Sequence, residues 1–126
     1  MRFLSELGVR IFYMAEIRRR GLGTVLGDAL ELVKAETAGF GISLDLDAID
    51  PSEAPGVGTP AARGIGGAPL REALRGIGGD SNLAGFELTE YNPGRDRDAK
   101  TARLAIGLLG DFFERAERTQ PAAAGR

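Results

Sequence analysis

Strand-like and helix-like segments alternate along this chain, and that alternation leaves few architectures open. Val9–Met14 is β-branched and aromatic and reads as a first strand. From Gly23 to about Glu36, the residues Val25, Leu26, Ala29, Leu30, Leu32 and Val33 recur at helical spacing, with Thr24 placed to open the helix. Phe40–Asp47 alternates apolar with small or acidic residues and reads as a second strand. A short helix is expected over Pro69–Leu74, with proline in its tolerated first turn and Gly78-Gly79 ending it. Leu83–Tyr91 is a third strand stopped by Pro93, and a last helix runs from about Asp98 to Glu117. With right-handed crossovers, βαβαβα gives a parallel sheet flanked by helices. Parallel strands are normally covered on both faces, so three of them read as a portion of a larger α/β domain.

The 126 residues suit one small domain, expected over residues 1–118, followed by an alanine-rich tail over 119–126 that should fray. A net charge of -2 and a pI of about 5.2 provide no field for nucleic acid or an anionic membrane. No apolar run approaches the roughly 20 residues that span a bilayer, and the first residues are too charged for a signal peptide, which makes a cytoplasmic location the default. The chain has no cysteine and no histidine. Any metal must therefore be carried by carboxylates, and any hydrolytic mechanism must do without the usual proton shuttle or borrow it.

Asp45 and Asp47 stand two apart at the C-terminal end of the second strand, which would point both side chains to one side. Ligands of open α/β sheets bind at that edge. Two crowded carboxylates repel unless a cation neutralises them, and a hard ion such as manganese or magnesium meets that need. The plainer reading is that they cap the following loop or face solvent. That loop, from Ala48 to Ala68, is rich in proline and glycine and too long to lack a role. Asp50 suits a turn with Pro51 better than a metal, and Gly56-Val57-Gly58-Thr59-Pro60 lacks the lysine of a phosphate loop. Glu90 ends the third strand at the same edge, where its carboxylate can face solvent or receive a guanidinium in a bidentate fork.

Ser43, Asp45, Asp47, Pro51, Pro55-Gly56 and Gly64, followed by Glu90-Tyr91-Asn92-Pro93, together resemble the arginase, agmatinase and formiminoglutamase family of ureohydrolases. The resemblance runs from about Leu7 to Phe113 and matches the C-terminal portion of a family member. It implies a three-layer α/β/α domain, incomplete here, with two manganese ions at the C-terminal ends of parallel strands. By position, Asp45 resembles the carboxylate that bridges both metals and Asp47 a ligand of one. Thr59 corresponds to a threonine beside the substrate guanidinium, and Glu90 to the carboxylate that receives it. Asn92-Pro93 is closer to arginase than to agmatinase, which implies hydrolysis of L-arginine to ornithine and urea. The complete family site also draws on histidines and an Asp-x-His-x-x-x-Asp-type segment upstream, so this chain alone is expected to be inactive. The resemblance leaves homo-oligomers open for the full-length parent. The alternatives are an agmatinase or other guanidino-compound hydrolase, and a non-catalytic remnant that binds other subunits.

Overall fold

A computed structural model describes residues 2–119, so the alanine-rich stretch 120–126 of the expected tail lies outside the described residues. The chain divides into two compact units, Met1–Thr37 and Ala38–Arg126.

The first unit is helical: α1 (Arg2–Glu6), α2 (Met14–Arg20) and α3 (Leu22–Lys34). The strand expected over Val9–Met14 does not form. Residues 9–13 belong to no regular element, and Met14 already opens α2. Tyr13 keeps extended backbone, with φ -81° and ψ 155°, but extended backbone becomes a strand only when a neighbour completes its hydrogen bonds, and none does among the described residues. Met14-Ala15-Glu16-Ile17-Arg18-Arg19-Arg20 is rich in strong helix formers, and Gly21 ends the helix at φ 86°. Helices α2 and α3 pack together, with Arg20 bonded to Glu16 at 2.9 Å and to Asp28 at 2.5 Å. Val25 is the buried residue of α3.

The second unit holds a parallel pair of strands, β1 (Phe40–Asp45) and β2 (Leu83–Thr89), in place of the three strands expected. In register, Ile42 faces Phe86 and Leu44 faces Leu88, which makes one side apolar. Gly41 with Gly85, Ser43 with Glu87, and Asp45 with Thr89 make the other side small and polar. The chain crosses between the strands through α4 (Gly67–Ile77) and continues after β2 into α5 (Lys100–Thr119).

Both helices bury stripes at helical spacing. Leu70, Leu74 and Ile77 of α4 are buried, as are Thr101, Ala105, Leu108 and Phe112 of α5. The Phe112 ring lies 4.5 Å from that of Phe86, which seats α5 on the apolar side of the sheet. At the end of α4 the approach to α5 is so close that a Cβ on Gly78 would stand 2.1 Å from the Phe112 carbonyl oxygen. Asp111 joins the helices at the surface, accepting from Arg71 at 2.5 Å and Arg75 at 2.9 Å. These two guanidinium groups hold its carboxyl below the usual range despite partial burial. No helix among the described residues is long and apolar enough to cross a membrane.

Candidate functional site

The two aspartates do not share a strand face. Strand β1 ends at Asp45, and Leu46–Ala48 forms a 3-10 turn. Asp45 itself causes the turn: its Oδ1 accepts the Asp47 N–H at 2.8 Å, a side-chain cap that competes with continued strand. The turn drives Leu46 into the core at 0% exposure and leaves Asp45 exposed and Asp47 half-buried. The capping role and the edge position therefore coexist at Asp45.

Asp47 reaches forward across the long loop. Its Oδ1 accepts the Thr59 N–H at 3.0 Å, and its carbonyl oxygen accepts the Ala61 N–H at 3.0 Å. Between these points the loop is anchored residue by residue. Asp50 accepts from the Ser52 N–H and hydroxyl, and these two bonds hold its carboxyl below the ordinary value. Ile49 and Ile65 bridge in parallel, so closely that a Cβ on Gly64 would sit 2.6 Å from the Ala48 oxygen. Glu53 accepts the Gly67 N–H at 3.0 Å and so caps α4 from within the loop. Ala54 and Val57 are fully buried.

Glu90 follows β2 with φ 66°, in left-handed backbone that a non-glycine residue seldom adopts. Such a conformation costs about 1–3 kcal/mol and persists where the surroundings over-determine it. Here Thr89 is paired with Asp45 on one side, and Tyr91 bridges to Val57 on the other. The turn brings the Glu90 carboxylate to Gly58, where a Cβ would lie 3.7 Å from Oε2. Arg95 donates to the Gly58 oxygen at 2.9 Å and steadies the same stretch.

All four candidate residues thus meet at one edge of the sheet. Asp45 bonds Asp47, Asp47 bonds Thr59, and Gly58, beside Thr59, lies against Glu90. The Thr59 contact runs through its backbone N–H, and the residue is exposed. As hard oxygen donors two apart, Asp45 and Asp47 fit a divalent cation in kind. In number they fall short, since among the described residues no group of three or more His, Cys, Asp or Glu is placed to hold a metal ion.

Sequence reading missed a second cluster beneath these residues. Asp96 accepts from the N–H groups of Thr101 at 2.8 Å and Ala102 at 2.9 Å, and from the Tyr91 hydroxyl at 3.1 Å. The buried Thr101 hydroxyl accepts the Gly56 N–H at 2.7 Å. Burial pushes the Asp96 carboxyl up, but the bonds from Thr101, Ala102 and Tyr91 outweigh it and leave it below the usual range. An aspartate a few residues before a helix was the one available signal.

The chain matches the model of the Arginase family over residues 1–114. It belongs to the arginase family. Arginase from Bacillus caldovelox is 39% identical over 115 residues, covering 89% of this chain and 38% of the relative. Arginase from Brevibacillus brevis is 39% identical over 113 residues, covering 87% and 37%. The native structure of the Bacillus caldovelox arginase superposes with a TM-score of 0.83 at 37% identity, covering 89% of this chain and 38% of that one. Formimidoylglutamase from Bacillus subtilis superposes with a TM-score of 0.87 at 30% identity, covering 95% and 37%. The fold is accordingly a portion of the arginase-like α/β/α architecture, as the sequence implied. This arginase-family chain spans 38% of the length of the first of these relatives.

Proposed function

We propose that this chain supplies the metal-binding and guanidinium-binding edge of an arginase-type site, whose parent reaction is manganese-dependent hydrolysis of L-arginine to ornithine and urea. The carrying observation is that Asp45 bonds Asp47 and Asp47 bonds Thr59, while the Glu90 carboxylate lies beside Gly58, the neighbour of Thr59. Asp45 and Asp47 would be the metal ligands, each keeping lone pairs beyond the one engaged by a backbone N–H. Two manganese ions, when bound, supply the Lewis acidity that activates water. Glu90 receives the guanidinium through charge-assisted hydrogen bonds, and its left-handed backbone aims the carboxylate across Gly58 rather than along the strand. Thr59 stands beside that position and orients the bound group.

The two carboxylates are a partial donor set, so the isolated chain should be inactive. Purified chain, loaded with manganese and offered L-arginine or agmatine, should release no urea, and activity should appear when the N-terminal portion of a relative is co-expressed. Manganese-dependent urea release by the chain alone would sink this reading. Likeness to formimidoylglutamase across 95% of the chain supports a second reading, in which the substrate is a formimino compound. The complemented protein separates the two, because turnover of N-formimino-glutamate in preference to arginine selects the second.

A further inference from the structure

We propose that Asp96 is a positioning residue that holds Glu90 over the Gly56–Thr59 loop; this rests on the reading of Glu90 as the acceptor of the guanidinium. Two neighbouring stretches of chain bond its carboxylate, and one segment distant in sequence packs against its side chain. From α5 come the N–H groups of Thr101 and Ala102, at 2.8 and 2.9 Å. From the residue after Glu90 comes the Tyr91 hydroxyl, at 3.1 Å. From the long loop comes Gly56, pressed so close that a Cβ there would lie 2.5 Å from the Asp96 Cβ.

The Thr101 hydroxyl closes the knot, for it accepts the Gly56 N–H at 2.7 Å while also serving Asp96. Asn92 adds a backbone bond, donating to the Gly56 oxygen at 2.8 Å. Glu90 is thus framed on one side by Tyr91, which Asp96 holds, and on the other by Gly58, whose segment Asp96 and Thr101 hold through Gly56. A left-handed glutamate relaxes toward ordinary backbone once its frame loosens, and that relaxation carries the carboxylate away from Gly58.

The test is nuclear magnetic resonance on the full 126-residue chain, comparing wild type with Asp96→Asn and Asp111→Asn. Three signals are read: nuclear Overhauser contacts between Gly58 and the Glu90 side chain, contacts between the Phe86 and Phe112 rings, and the Glu90 Cδ shift on adding L-arginine. In Asp96→Asn the ring contacts should persist, while the Glu90–Gly58 contacts and the arginine response are lost. Asp111→Asn, which removes ion pairs on the same helix, should keep all three. Should Asp96→Asn fail to fold, Tyr91→Phe decides, because it deletes only the phenol's bond and should weaken the Glu90–Gly58 contacts. Undiminished contacts in a folded variant overturn the proposal. An unresponsive Glu90 Cδ in wild type would instead show that this chain alone does not hold the guanidinium, leaving the contacts to judge Asp96.

Discussion

Asp45 uses one carboxylate oxygen to end a strand and start a turn, and the same turn sets Asp47 against Thr59. Substitution there should therefore act on geometry and on metal together. In chain complemented by a relative's N-terminal portion, Asp45→Ala should abolish manganese binding and turnover alike. Asp47→Ala should mainly weaken one ion. Glu90→Gln removes the charge that orients the guanidinium without touching the aspartates, so manganese content should stay near normal while turnover falls by tenfold or more, on the order of 1.4 kcal/mol or above. Metal analysis beside kinetics checks all three, and equal manganese loss in Glu90→Gln would refute the separation. Asp45 and Glu90 could be placed from the sequence because each stands at the end of a strand, whereas Thr59 lies within the long loop and was assigned by the family resemblance alone. Asp96 and Thr101 were not legible, because their meaning comes from Gly56, which is 45 residues from Thr101 in the chain.

Among the elements, those that bury a face were legible and those that depend on a partner were not. Helices α3, α4 and α5 and strands β1 and β2 carry their own periodicity and fall close to the expected ranges. Helix α4 starts earlier than expected, at Gly67, because Glu53 caps it from the loop. Helix α5 starts later, at Lys100, because Asp98 and Ala99 have φ of 55° and 51° and break the first turn. The Val9–Met14 segment has strand composition, but composition cannot supply the missing ladder. The α4–α5 pairing also gives a pH dependence. Asp111, bonded to Arg71 and Arg75, and Asp96, bonded at the start of α5, both titrate below their ordinary value when folded. The folded state then binds fewer protons than the unfolded chain, so this stabilisation is full above the ordinary aspartate value of about 3.9 and is lost as pH falls from there through the lower folded values. Melting temperature should thus hold between neutral pH and about pH 5 and drop below about pH 4. Asp111→Asn should melt lower at neutral pH and lose less on acidification. A wild-type melt that is flat down to pH 2 would contradict this.

At the scale of the whole molecule, the second unit covers one side of its sheet and leaves much of the other to solvent. Gly41, Ser43, Asp45, Gly85 and Glu87 are exposed on β1 and β2, although parallel sheets are normally covered on both faces. Helix α5 buries Leu108 and Phe112 but presents Ile106 at 69% exposure and Phe113 at 51%. An apolar surface of this kind is usually an interface. The chain spans 38% of the length of the Bacillus caldovelox arginase it matches. In its isolated form the chain should associate with itself as concentration rises, read by sedimentation over a dilution series. Ile106→Glu should shift that equilibrium toward monomer. Because Ile106 contributes little to the core, the substitution should change folding stability by no more than about 0.5 kcal/mol, the usual range for exposed positions. If wild type stays monomeric at every concentration and melts cooperatively, the exposed stripe of α5 is tolerated as ordinary surface and the association argument fails.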